Sequence, residues 1–356
     1  MKTVKDFEVK NKRVLVRCDF NVPLDENGNI ADDFRIRKTL PTLRYLQENG
    51  ARIILASHFS DGKSLEPVWK RVRELLSFGH SERSEESDRE AVTLSVSEGP
   101  PGIITRSFGL RPQDDIINNV TFLENLRLNE GEEKNSDDFA KELAGLADIY
   151  INDAFSVCHR AHASVVGTPK YLPSGAGFLL EKEVTVLSKI IQNPDRPFAA
   201  IIGGVKFESK AKVIDSFLEV ADFVLVGGKI GLSPEIKKLN SPKLVLPVDN
   251  IDTFDIGPET IKLFSEKINK AKTIIWAGPI GLFEEPAFEN GTKEIGEAIC
   301  NNEKAFKIAG GGDTISAINK FNLQDKFDHL STGGGAMLKF IAGDKLPGLE
   351  ALGYYK

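Results

Sequence analysis

Ten short apolar runs rich in β-branched residues recur along this chain, each closing on small or polar residues and leading into a stretch with helical spacing. The runs are RVLVRCDF (13–20), ARIILASH (51–58), VTFLEN (120–125), DIYINDAF (148–155), PFAAIIGG (197–204), DFVLVGG (222–228), KLVLPVD (243–249), TIIWAGP (273–279), AFKIAGGGDT (305–314) and HLSTGGGA (329–336). Strands apolar on both faces and separated by helices belong in parallel sheets covered on two sides. A chain of 356 residues outgrows one ordinary core. The expected fold is therefore α/β, two doubly wound parallel-sheet domains. GAGFLLEKEVTVLSKIIQN (175–193) carries a stripe of Phe178, Leu179, Val184, Leu187 and Ile191 before Pro194 and is expected as the helix joining them. Ligands of such sheets lie beyond the carboxyl ends of the strands.

The two halves differ in the residues that close their strands. The first half places Asp19, Asn21, His58, Arg127, His159 and Arg160 there, and the second places paired or tripled glycines. One half suits a small anion, the other close backbone approach to phosphates. SFGHSERSEESDREAVTLSVSEGPPGIITRSFGLRPQDD (77–115) breaks the pattern, being rich in Ser, Glu, Arg, Gly and Pro. It reads as a mobile surface insertion, or else as an irregular ordered substitute for a strand and helix.

Charge and cysteine usage exclude several classes. A formal net charge of -6 leaves no general basic face for nucleic acid, so any cationic site is local. Cys18, Cys158 and Cys300 are odd in number, with no CxxC, and read as reduced thiols. No apolar stretch approaches the roughly 20 residues that span a bilayer, and MKTVKDFEVKNKRV has no apolar signal core. A cytoplasmic protein without membrane contact is expected.

Individual motifs carry the chemistry. SHFSDGKS (57–64) comes within one residue of GxxxxGK[ST], but Ser57 stands where that phosphate loop needs glycine. GGKIGL, GGGDTI and GGGAML each miss a position of GxGxxG. In CHRAHAS (158–164), His159 and His162 flank Arg160. They read as a metal pair, as a structural pair, or as anion recognition by a forked guanidinium beside imidazole donors. No array of carboxylates or cysteines at metal spacing accompanies them, which favours the anion. GGVKFESK (203–210) sets Lys206 and Lys210 one turn apart if a helix begins there, with amides aimed at an anion. AGGGDT (309–314) joins three glycines to Asp313, a carboxylate suited to magnesium on nucleotide phosphates.

Together these stretches resemble the phosphoglycerate kinase family. RVLVRCDFNVPL, DDFRIRKTLPTLRYL, FLENLR, LADIYINDAFSVCHRAHASVVG, GFLLEKE, AIIGGVKFESK, LPVD, FDIGPET, KTIIWAGPIGLFE, GGGDT and STGGGA fall in the family's order and cover most of the chain outside 77–115. The resemblance implies a phosphoglycerate-binding domain (1–174), an interdomain helix (175–193) and a nucleotide-binding domain (194–342). The tail (343–356) returns to the first domain. It also implies reversible phosphoryl transfer, with domain closure, between ATP and the carboxylate of 3-phosphoglycerate, giving 1,3-bisphosphoglycerate and ADP. Asp19, Asn21, Arg35, His58, Arg127 and Arg160 would hold phosphoglycerate, braced by His159 and His162. Gly204, Lys206, Lys210, Gly227, Gly228, Glu284, Gly311, Gly312, Asp313 and Thr314 would hold the nucleotide, with Asp313 on Mg2+. Arg35 and Lys206 would be catalytic, in a monomer. An acceptor carboxylate is already ionised near neutral pH, so no general base is needed.

The chain also departs from the family pattern. Phe59-Ser60-Asp61-Gly62 stands where the family writes Leu-Gly-Arg-Pro, and Ala277 replaces an asparagine. The connection between LPVD and FDIGPET is short. These changes define a second reading, a relative that binds nucleotide or phosphoglycerate without efficient turnover. A third, a dinucleotide-dependent oxidoreductase, lacks its glycine fingerprint.

Overall fold

A computed structural model describes residues 1–60, 62–77 and 119–356. The expectation for 77–115 lies outside the described residues apart from Ser77. The chain forms two compact units, Met1–Lys182 with Pro347–Lys356, and Glu183–Leu346. Their boundary falls within the helix Phe178–Gln192.

In the first unit, β1 (Arg13–Arg17), β2 (Arg52–Ala56), β3 (Val120–Phe122), β4 (Ile149–Asn152) and β5 (Ser174–Ala176) pair in the order β3-β2-β1-β4-β5, every pair parallel. The register runs Val14↔Ile53 on one side of β1 and Val14↔Ile149 on the other. All of β4 and four of the five residues of β1 are buried, as apolar faces on both sides demand. The helix Phe34–Glu48 buries Ile36, Leu40, Leu43 and Leu46, and the helix Glu66–Ser77 buries Val68, Trp69, Val72, Leu75 and Leu76. Each is one stripe at helical spacing. Trp69 meets Phe20 edge-on at 5.9 Å and Phe122 at 5.0 Å. Each such burial contributes about 1.5–3 kcal/mol. The tail helix Pro347–Ala351 is tied by the Gly348 N–H, which donates to the Cys158 carbonyl at 2.9 Å.

In the second unit, β6 (Phe198–Ile202), β7 (Phe223–Val226), β8 (Leu244–Val245), β11 (Thr273–Ala277), β12 (Phe306–Gly310) and β13 (His329–Ser331) form a parallel sheet in the order β13-β12-β11-β6-β7-β8. β9 (Asn250–Ile251) and β10 (Asp255–Ile256) make a separate antiparallel ribbon. In both sheets the earliest strand is internal and later strands are added first to one side, then to the other. The order therefore reverses between β1 and β4 and between β6 and β11, where a crevice opens at the strand ends. All ten runs become strands, and the two parallel sheets meet the fold expectation. β5, β9 and β10 were not anticipated, because SGA, NI and DI belong to no apolar run.

Candidate functional site

The strand ends of the first unit gather charge. β1 stops at Arg17, so the end of its run turns out of the sheet and carries Asp19 and Asn21 to the crevice. Asp19 Oδ2 accepts from Arg35 Nη1 at 2.7 Å and from the Ser156 hydroxyl, and Oδ1 accepts from the Asn21 N–H at 3.1 Å. Burial pushes this carboxyl up, but Arg35 beside it, then His58 and the hydroxyl, hold it at about 2. Asn21 is clasped to Ser60, donating to its hydroxyl at 3.1 Å and accepting its N–H at 3.2 Å. Burial drives His58 down to about 3 against the pull of Asp19, with Arg17, Arg127 and Arg160 adding to the fall. Arg35, not a charged imidazole, thus keeps Asp19 ionised at neutral pH. Arg17 Nη2 lies 3.3 Å from His58 Nδ1. A guanidinium only donates, so Nδ1 accepts and the ring proton sits on Nε2. The 3.9 Å approach of His58 Nδ1 to Asp19 Oδ1 is accordingly proximity without a hydrogen bond.

Arginines crowd the same crevice. Burial, then Arg160, lowers Arg127, which lies 3.1 Å from Glu133 through Nε without hydrogen-bond geometry. Its Nη2 has no hydrogen-bond partner among the described residues. Arg160 Nε donates to His159 Nε2 at 3.4 Å. Burial lowers His162, whose Nδ1 stands 3.8 Å from the buried Glu132. The structure thus brings Asp19, Asn21 and Arg35 into one hydrogen-bonded network with His58 beside it and the Arg127 and Arg160 cations nearby. Among the described residues, no group of three His, Cys, Asp or Glu side chains could hold a metal.

The second unit supplies backbone instead. Gly203 follows β6 so close to the turn after β11 that a Cβ on it would lie 1.8 Å from the Pro279 carbonyl oxygen. Gly311, at φ +107, caps the helix Gly312–Lys320, whose first turn holds Asp313 and Thr314. The first N–H groups of a helix have no intrahelical partner, which makes this start a ready anion cradle. Thr314 Oγ1 accepts the Gly278 N–H at 2.8 Å, locking the two turns together. Gly227 ends the β7 turn and Gly228, at φ +63, packs on the Gly204 backbone. Burial lowers Lys210, opposed by Asp313. Lys206 and Glu284 are exposed. The conditional helix at Lys206 is corrected: the helix is Ala211–Val220, so both lysines sit on the loop entering it. Ala277 closes β11 and is buried.

Arg17, Glu132, Ser156 and Ser164 join this basic network of the first unit, and no local sequence pattern marks them. Arg17 falls within a strand run, and Glu132 falls in NEGEEKNSDD, which looks like a solvated surface.

Comparison with known proteins places the chain among relatives of one kind. A profile of the phosphoglycerate kinase family matches residues 4–233 and 232–344. The phosphoglycerate kinase of Dictyoglomus turgidum is 41% identical, covering 98% of this chain and 97% of the relative. That of Coprothermobacter proteolyticus is 40% identical over 99% of this chain and 98% of its own. Among solved structures, phosphoglycerate kinase from Pyrococcus horikoshii matches with a TM-score of 0.80 at 30% identity, over 99% of this chain and 98% of the other. The enzyme from Coxiella burnetii matches with a TM-score of 0.78 at 31% identity, over 99% of both chains.

Proposed function

Since the chain belongs to the phosphoglycerate kinase family, we propose how its own residues divide the work of that reaction. The protein is a glycolytic phosphotransferase that moves a phosphoryl group reversibly between ATP and the carboxylate of 3-phosphoglycerate. Relatives at 40–41% identity carry the kinase name, and none favours the reading of a weakened binder.

Asp19, Asn21, Arg35, His58, Arg127 and Arg160 hold the phosphoglycerate. One observation supports this most: Arg127 is half-buried beside other guanidiniums with Nη2 unpartnered among the described residues. Mutually repelling cations that depress one another are stabilised by an anion with several oxygens, and a phosphate meets that need with bidentate contacts. Gly204, Gly227, Gly228, Gly311, Gly312 and Thr314 receive the nucleotide through backbone amides, Lys206 and Lys210 meet its phosphates, and Glu284 meets the ribose. Asp313 fits Mg2+, which takes one or two protein carboxylates and completes its shell with phosphate oxygens and water. When bound, the ion would screen the phosphate charge.

The acceptor carboxylate is ionised without help, so this chain's part is alignment and charge stabilisation. Arg35 and Lys206 stabilise the charge on the transferring group, the kind of contact worth about 10³–10⁵ in other phosphoryl transfers. Reacting atoms must come within about 3–3.5 Å, so the cycle includes a domain closure that also excludes water. The reading extends to a cytoplasmic monomer working on diffusible metabolites. No helix among the described residues is long and apolar enough to cross a membrane, and light scattering tests the monomer. In a coupled assay with 3-phosphoglycerate and MgATP, Arg35→Ala and Lys206→Ala should each lower turnover at least about 100-fold. Unchanged turnover in both rejects the assignment.

A further inference from the structure

We propose that Glu132 is a positioning residue for the acceptor site, a buried carboxylate that fixes Arg17 and the histidines His58 and His162 behind the surface that meets the substrate. The inference rests on the basic cluster being that acceptor site. Glu132 lies on the short helical turn Glu130–Glu133, a few residues after Arg127, and is fully buried. Its Oε2 accepts the Ser164 N–H at 2.9 Å and its Oε1 accepts the Ser164 hydroxyl at 2.6 Å. The same Oε1 stands 3.8 Å from Arg17 Nη2 and 3.8 Å from His162 Nδ1. Ser164 Oγ passes the contact on, accepting Arg17 Nε at 2.7 Å. Arg17 is itself buried, with Nη1 donating to the Cys18 carbonyl and Nη2 to His58 Nδ1 at 3.3 Å.

Across Glu132, Ser164, Arg17 and His58, donation starts from Arg17 and runs both ways, to His58 on one side and through the Ser164 hydroxyl to Glu132 on the other. A carboxylate can only accept, so the serine hydroxyl points to it and leaves its lone pairs for Arg17. Held there, Arg17 gives its Nη2–H to His58 Nδ1, and His58 keeps its proton on Nε2. Taking two charges into a dry interior is costly, and the cost falls when they face one another with their hydrogen bonds filled. Without the carboxylate, Arg17 becomes an uncompensated buried cation beside His58. Its escape is to swing toward the crevice and compete for the place of the substrate anion. Glu132 therefore keeps one arginine out of the binding surface and holds in place the donor that fixes the His58 tautomer.

The test is Glu132→Gln, which keeps the shape and removes the charge. KM for 3-phosphoglycerate should rise about tenfold, below the roughly 10²-fold cost of a 1 Å misplacement, with KM for MgATP within twofold of the parent. In the ligand-free protein, ¹⁵N-histidine spectra should show His58 as the Nε2–H tautomer in the parent and a changed pattern for His58 and His162 in the variant. Unchanged histidine spectra, or equal changes in both KM values, overturn the proposal. If Glu132→Gln does not fold, Ser164→Ala decides by the same two readouts, since it keeps the carboxylate and cuts the relay. A parent inactive with 3-phosphoglycerate would sink the functional reading, whereas an active parent with an indifferent variant would sink only this one.

Discussion

Asp153 sits fully buried after β4, its Oδ1 accepting the N–H groups of Leu179 and Leu180 at 2.9 and 3.3 Å. Burial raises its carboxyl to about 7, against the opposing pull of the Thr42 hydroxyl and those two amides. The ordinary value is about 3.9, so between about pH 4 and 7 the folded state binds the extra proton and stability falls as pH rises. His58 has the opposite sign: its folded value of about 3 lies below its unfolded one near 6.5, so its contribution is lost as pH falls. The slope of the parent alone therefore mixes the two. Asp153→Asn isolates one of them. From pH 5 to pH 8 the variant should gain about 2–3 kcal/mol relative to the parent in urea unfolding, and a pH-independent difference would mean that Asp153 is ionised throughout. Glycine at 203 is equally constrained. A Cβ there overlaps backbone that cannot step aside, so Gly203→Ala should cost more than about 3 kcal/mol in unfolding and weaken ATP binding.

At the scale of elements, Asn125 shows how two strand ends are tied into one surface. Its side chain accepts the N–H groups of Phe59 at 3.2 Å and Arg127 at 3.0 Å, and donates to the carbonyls of Phe59 at 3.2 Å and Lys63 at 2.8 Å. It is buried. Asn125→Ala leaves several buried backbone groups unpaired and should cost about 2–3 kcal/mol. Because the loop after β2 carries His58 and the turn after β3 carries Arg127, KM for 3-phosphoglycerate should rise with it. A full loss of stability with an unmoved KM would mean that the loops hold their shape independently. The strands themselves were legible because unbroken apolar runs such as VLV at 14–16 or FAAII at 198–202 declare burial on both faces locally. Asp19, His58 and the glycines were legible because they close those runs. Glu132 and Ser164 were not, since their partners stand 32 and 147 positions away along the chain, and no local pattern marks a surface-like acidic residue as buried. The entry to the helix Ala211–Val220 is not legible for a related reason: Lys206 to Lys210 have helical spacing, yet they lie on the loop that leaves the Gly203–Gly204 turn.

Across the whole molecule, a net charge of -6 coexists with a crevice ringed by arginines, so overall charge does not describe the site. Each unit has its own parallel sheet and its own fully buried large side chains, Phe20, Tyr150 and Phe155 in one and Phe198, Phe264 and Trp276 in the other. Such cores open as separate cooperative blocks. A ligand bound at 100 times its Kd stabilises what it holds by about 2.7 kcal/mol, and with separate opening that gain stays with the unit that binds it. 3-Phosphoglycerate alone should therefore slow amide exchange in β1, β4 and the Ser156–Ser164 stretch by up to about 100-fold, leaving β6 and β11 unchanged, while MgATP alone should do the reverse. Equal protection of both sheets by either ligand would show that the chain unfolds as one block. Protection of β6 by 3-phosphoglycerate alone would place the acceptor on the wrong sheet.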